Sequence, residues 1–145
     1  MREGEGAVQH DARDDGLWPG LSGRDDGGPF LHGSRCAACG HVMLGRRARC
    51  TRCWETGRIE ALALGREGRV YSRTVIHAAP AGFVGPYTVG YVDLPEGIRV
   101  FAHLASGADA AGIGEAVRLE IVPLRTVDGA DRTGPRYRRI GGGQP

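Results

Sequence analysis

The chain has 145 residues, enough for about one ordinary domain, and 41% of them are apolar. Its formal net charge of +2 is too small to indicate nucleic acid or an anionic membrane as a partner. No apolar run approaches the roughly 18 residues that span a bilayer, and the charged start lacks the apolar stretch of a secretion signal, so we expect a cytoplasmic protein.

Residues 1–29 are rich in Gly, Asp, Glu and Arg and contain few apolar residues. Such a segment cannot offset its ordering entropy by burial, so we expect a flexible N-terminal arm. Leu17, Trp18, Pro19 and Leu21 form the one apolar group in it. We expect this group to dock either on the body of the protein or on a partner.

Residues 30–58 contain two Cys-x2-Cys pairs, separated by ten residues: Cys36, Cys39, Cys50 and Cys53. Two residues between ligands let a tight turn aim both sulfurs at one ion, and Gly40 can adopt the positive φ that such a turn uses. Beside the second pair the glycine is delayed to Gly57, which predicts a less regular turn. The spacing predicts a closed, structural Zn²⁺ site, favoured over an iron site, a redox-active dithiol and disulfides.

Residues 59–126 contain short β-type runs separated by Gly and Pro, which predict five strands: Ile59–Leu64, Arg69–His77, Tyr87–Leu94, Ile98–Leu104 and Ala116–Leu124. In the last two runs apolar and polar residues alternate, which places one set of side chains inward. Five short strands of this kind favour a barrel of the oligonucleotide/oligosaccharide-binding (OB) type. We expect the glycine-rich residues 127–145 to form a flexible tail.

No set of catalytic residues is evident in the sequence. His41 directly follows the first cysteine pair, but the four cysteines already complete the ligand shell. His77 and His103 lie on predicted strands without a neighbouring nucleophile pattern. Asp93 and Glu96 flank a predicted hairpin, where acidic residues are common for turn reasons alone. The sequence therefore predicts a protein that is not catalytic alone.

Residues 30–124 resemble a family of small bacterial and archaeal proteins, long described as a domain of unknown function, that accompany thiolase-like enzymes. The resemblance is carried by Gly33-Ser34-Arg35-Cys36-Ala37-Ala38-Cys39-Gly40, Arg47-x2-Cys50-x2-Cys53, Gly68-Arg69-Val70-Tyr71-Ser72, Gly82-Phe83-x2-Pro86-Tyr87, Asp93-Leu94-Pro95-Glu96-Gly97 and Gly112-Ile113-Gly114-Glu115-Ala116-Val117. Two features differ. Leu44-Gly45-Arg46-Arg47 stands where members often have two prolines, and the usual paired N-terminal helices are reduced to the polar arm.

The resemblance implies a rubredoxin-like zinc ribbon followed by an OB barrel, and a non-catalytic accessory subunit of a thiolase-like complex. The partner, of acyltransferase, ketoacyl synthase or aldolase type, would hold the reactive cysteine, with acyl-CoA at or near the interface. The candidate contacts for CoA or the partner are Arg35, Arg46, Arg47, Arg49, Arg52, Phe83 and Tyr87. The arginines could instead form a solvated surface without a ligand. The alternative functions for the protein are a stand-alone acyl-CoA binder and an OB-fold nucleic-acid binder.

Overall fold

The computed structural model describes residues 16–141, which form nine β-strands and one 3₁₀ turn, Gly107–Asp109. The strands are β1 (Ser22–Asp25), β2 (Gly28–Cys36), β3 (Val42–Leu44), β4 (Ile59–Ala63), β5 (Glu67–Ile76), β6 (Tyr87–Asp93), β7 (Arg99–Leu104), β8 (Ala116–Val127) and β9 (Ala130–Arg139). None of the helical segments within these residues is long and apolar enough to cross a membrane. The mainly-β fold class predicted from the sequence is confirmed.

A four-stranded sheet built around β2 forms the front of the molecule, the cysteine ribbon. β2 pairs antiparallel with β1 through residues 28–31, and with β3 and β4 through residues 32–36, where these two strands lie on opposite sides of β2. The run that begins at Ile59 was expected to open the barrel, but it pairs with β2 instead, and Ile59 packs against the cysteine cluster. That expectation is wrong because a short run of β-type residues predicts a strand without specifying the sheet that the strand joins.

Five strands close a barrel in the order β5-β6-β7-β9-β8. β7 and β9 run parallel, and the other neighbouring strands run antiparallel. Small closed barrels of five strands with Greek-key connections are OB-type barrels. The number of barrel strands predicted from the sequence is therefore right, although their membership is shifted by one strand.

Residues 127–145 were expected to form a flexible tail, but residues 130–139 of this segment form the strand β9. Residues 127–130 form a two-residue hairpin in which Asp128 and Gly129 both have positive φ, 53° and 79°, as a type I′ turn requires. Tyr137, 1% exposed, fills the barrel from this strand. The barrel was expected to end at residue 126. That expectation is wrong, because residues 130–139 supply the strand that closes the barrel.

One apolar core joins the ribbon and the barrel. In β7 and β8 the predicted inward set is buried at Val100, Ala102, Leu104, Val117 and Leu119. Leu31 of β2 and Leu64 after β4 belong to the same buried cluster. Ribbon and barrel therefore bury apolar surface against each other, and the free energy of this burial orients the two parts.

The N-terminal arm is ordered from Gly16 onward, which corrects the expected flexibility of residues 16–29. Leu17 N–H donates to the carbonyl of Thr133 at 2.7 Å, and Leu21 packs against the shared core. Asp25 of β1 forms an ion pair with Arg66, the residue just before the first barrel strand, β5. The apolar group of the arm thus docks on the body of the protein, and residues 1–15 lie outside the described residues.

Candidate metal centre and aromatic pocket

The four cysteine sulfurs converge at the end of the ribbon. All four Sγ atoms lie within 4.8 Å of one another, with Cys36 to Cys53 and Cys39 to Cys50 each at 3.6 Å. A tetrahedral ion with Zn–S bonds of about 2.3 Å requires sulfurs about 3.8 Å apart. The spacing therefore fits one tetrathiolate ion, and a disulfide, with sulfurs at about 2.05 Å, does not fit.

The two cysteine pairs fold as two copies of one turn. In the first, Gly40 N–H donates to Cys36 C=O at 2.7 Å and Cys36 N–H to His41 C=O at 2.9 Å. In the second, Trp54 N–H donates to Cys50 C=O at 3.0 Å and Cys50 N–H to Glu55 C=O at 2.9 Å. The expected irregularity of the second turn is wrong, because Trp54 adopts the positive φ that Gly40 adopts in the first, 69° against 83°.

Backbone N–H groups around the cluster favour thiolates. The N–H of His41 contributes most to lowering the pKa of Cys39 to about 6. Burial opposes ionisation of Cys50, but the N–H groups of Cys53 and Arg52 outweigh it and lower its pKa. The N–H of Glu55 lowers the pKa of Cys53, yet burial and the three neighbouring sulfurs together raise it to about 12. A dication would remove that mutual repulsion, so the donor set suits one divalent ion.

The centre has no room for substrate chemistry at the ion. Cys36 and Cys50 are fully buried, and Met43 and Ile59 pack against them. Four thiolates complete a tetrahedral shell, which leaves no open position for water or a carbonyl oxygen. An ion held here would tie β2, β3 and the two turns together, in a segment whose own apolar core is small.

The five arginines named from the sequence are all exposed on the ribbon. Two of them brace the turns: Arg52 donates to Cys39 C=O at 2.8 Å, and Arg47 Nε donates to Leu44 C=O at 3.0 Å. Arg46 lies 3.3 Å from Nε2 of the buried His32, and Arg49 lies over the ring of Trp54. Arg35 projects from β2. Four of the five arginines therefore contact different groups of the ribbon.

Phe83 and Tyr87, the other residues named from the sequence, meet in an aromatic cluster with His103. Their ring centroids are 5.3 Å apart, and His103 lies 5.7 Å from Phe83 and 5.1 Å from Tyr87. The guanidinium of Arg125 lies 5.1 Å from the centroid of Phe83. These residues line an open pocket of about 310 Å³ at one end of the barrel.

His103 is a member of this pocket that the sequence interpretation set aside. Burial, and then the positive charge of Arg136, lower its pKa, so the ring is neutral at physiological pH. Its position on β7 gave no sign of this role, because Phe83 belongs to the loop before β6. His103 also lines a neighbouring apolar groove of about 700 Å³, which Arg46 reaches from the ribbon.

Comparison with known proteins gives consistent matches. The family model described as the C-terminal OB-fold domain of ChsH2 matches residues 62–122. The chain is 40% identical to the benzoylsuccinyl-CoA thiolase subunit BbsA of Geobacter metallireducens, over 70% of this chain and 68% of that protein. It is 35% identical to a DUF35 domain-containing scaffold protein of Methanothermobacter thermautotrophicus, over 66% of this chain and 74% of that protein.

Among solved structures, the chain is similar to one described as the Ltp2-ChsH2(DUF35) aldolase. The TM-score is 0.60 and the sequence identity 29%, over 76% of this chain and 84% of that chain. The matched share is larger than the barrel, so the likeness extends beyond the barrel strands. The family resemblance drawn from the sequence is confirmed.

Proposed function

Because the chain belongs to the DUF35 family, whose members carry a ChsH2-type OB-fold domain, we propose that it is a non-catalytic, zinc-binding small subunit of a thiolase-like complex. The observation that carries the proposal is the 40% identity to a subunit of benzoylsuccinyl-CoA thiolase. The partner would belong to the acyltransferase, ketoacyl synthase or aldolase type and would hold the reactive cysteine. This chain would support acyl-CoA binding or conversion by that partner in the cytoplasm.

The metal of the proposal is a structural Zn²⁺ held by Cys36, Cys39, Cys50 and Cys53. Sulfur separations of 3.6 Å across the cluster support this assignment, because they approach the edge of a Zn–S tetrahedron. Zinc is favoured over iron because a closed tetrathiolate serving only to fold a ribbon needs no redox change. Bound zinc would stabilise the ribbon by fixing the two turns against β2 and β3.

The acyl-CoA contact of the proposal is the aromatic pocket. Phe83 and Tyr87 present ring faces and edges to an open space of about 310 Å³, and Arg125 adds a cation at its rim. Aromatic rings stack on planar bases and pack against apolar chains. A neutral His103 adds a hydrogen-bonding group without an extra charge. In the complex this pocket would lie near the partner's active-site entrance.

Coexpression tests the subunit proposal. The tagged chain is coexpressed with each thiolase-like protein of its source organism, and the retained complex is assayed for thiolysis. The proposal predicts stable copurification with one of them and a higher thiolysis rate than that partner shows alone. Failure of every pairing would overturn it.

A stand-alone acyl-CoA binder remains the competing function, because the aromatic pocket belongs to this chain alone. Calorimetric titration of the isolated protein with a CoA thioester separates the two. Tight binding without a partner favours the stand-alone acyl-CoA binder. Binding that requires the complex favours the accessory subunit.

A further inference from the structure

The second cysteine turn carries a tryptophan where the same turn in the first pair carries a glycine. Trp54 has φ 69° and Gly40 has φ 83°, and both donate their N–H to the carbonyl of the first cysteine of the pair. Positive φ is disfavoured for any residue with a Cβ and is unstrained for glycine. The metal-binding turn therefore requires no side chain at this position, and a tryptophan strains it.

The indole of Trp54 is directed away from the protein. The residue is 66% exposed, and the guanidinium of Arg49 lies 5.6 Å from its ring centroid. The buried contacts of the cysteine cluster come from Met43 and Ile59 instead. Packing within the described residues thus does not account for a large aromatic side chain in a strained turn.

The surroundings of Trp54 carry positive charge. Residues 35–58 contain six arginines and one glutamate, a net charge of +5. At the tip of the ribbon, which is the second cysteine turn, the guanidinium of Arg49 lies over the indole, and Arg52, two residues before Trp54, donates to Cys39 C=O. Tryptophan and arginine are the residue types most enriched among those that dominate protein–protein binding energy. An exposed aromatic ring in contact with one arginine, on a segment of positive net charge, is complementary to an apolar pocket with an acidic rim.

We propose that Trp54 is the apolar anchor through which the ribbon docks on the thiolase-like partner, with Arg49 and Arg52 meeting carboxylates around the anchor. This inference rests on the proposed function and adds the contact that makes the complex. The strain at Trp54 is then offset in the complex, where the indole is buried. Nucleic acid is a weaker fit to this tip, because the net charge of the chain is only +2.

Substitution of Trp54 separates a docking role from a structural one. Trp54→Gly relieves the strained turn, and Trp54→Asn keeps a residue that tolerates positive φ. Both variants should retain the metal content of the wild type and a thermal midpoint within about 5 °C of it. Their affinity for the partner should fall at least about tenfold. Ile113→Ala is the matched control, because Ile113 is equally exposed, at 67%, on the loop before β8, and it should bind the partner as the wild type does.

The measurement is the dissociation constant of the full-length chain for the copurified thiolase-like subunit, with metal content determined on the same samples. Equal affinity of wild type and Trp54→Gly would overturn the anchor while leaving the subunit proposal intact. Loss of metal in both Trp54 variants would also overturn it, because the indole would then be structural. If the wild type binds no thiolase-like subunit, the proposed function fails and the anchor fails with it. Loss of single-stranded DNA binding in the variants, with partner affinity unchanged, would assign the tip to nucleic acid instead.

Discussion

Leu104 of β7 and Tyr137 of β9 lie opposite each other in the parallel pairing that closes the barrel. Both side chains are buried, so this contact fixes the last strand against the middle of the barrel. The barrel thus depends on residues beyond 129, although their polar and glycine-containing sequence predicted a tail.

Truncation of Tyr137 tests this dependence. Tyr137→Ala removes a fully buried ring and should lower the free energy of unfolding by about 3–5 kcal/mol. Its hydroxyl has no hydrogen-bond partner among the described residues, so Tyr137→Phe should remain within about 1 kcal/mol of the wild type. Urea unfolding followed by circular dichroism measures both. A small effect of Tyr137→Ala would mean that β9 does not close the barrel in solution.

Removal of the metal should unfold the ribbon before the barrel. Cys50→Ser, or a strong chelator, takes away a ligand or the ion and leaves residues 30–58 with a small apolar cluster. Elemental analysis should find no zinc in Cys50→Ser, and hydrogen exchange should rise first in the ribbon. His41→Ala is the control, since it keeps the backbone N–H of His41 that hydrogen-bonds Cys39, and it should keep full metal content. Retention of zinc by Cys50→Ser would contradict the four-cysteine site.

The aromatic pocket should act on substrate affinity. Phe83→Ala removes a ring that contacts both Tyr87 and His103, and it should raise KM for the CoA thioester by about three- to tenfold in the assembled complex. The value of kcat should change little, because the reactive cysteine would belong to the partner. Ile113→Ala alters an exposed apolar residue outside this pocket and should leave KM unchanged. If steady-state kinetics give Phe83→Ala the KM of the wild type, this pocket does not bind the CoA thioester.

His103 should make the protein less stable in mild acid. Burial and the charge of Arg136 place the pKa of folded His103 below its usual 6.5. As pH falls below about 6.5, the unfolded chain takes up a proton that the folded chain resists, so stability is lost in that range and retained above it. Urea unfolding at pH 7.5 and 5.5 should show a larger loss for the wild type than for His103→Phe. An equal loss in both proteins would show that His103 is not the group responsible.

The convergence of the four cysteines was predictable from the sequence because the two pairs are close in the chain. Two Cys-x2-Cys pairs specify turns that need little long-range information, and Cys36 and Cys50 indeed occupy equivalent positions. What the spacing did not indicate is the conformation of Trp54, since a large residue at positive φ contradicts the local rule. Such a departure from local preference is expected where a position serves something other than the fold.

The barrel was harder to assign because pairing partners are set by the whole fold. The run from Ile59 has the composition of a strand, yet that strand completes the ribbon sheet and not the barrel. β9 contains Gly134 and Pro135, and its one large apolar side chain is Tyr137, so its pattern indicated a tail. Asp128-Gly129 was the available signal, since this dipeptide between strands strongly favours a two-residue hairpin. The pairing of His103 with Phe83 could not be predicted, because it joins a loop to a strand 20 residues away.

The most direct test of the account is the thiolysis rate of the copurified thiolase-like subunit, measured as this chain is added to it. We expect little turnover by that subunit alone, none by this chain alone, and a rate that rises and saturates at a fixed ratio of the two. Full activity of the partner without this chain, or thioester turnover by this chain in isolation, would contradict an accessory role.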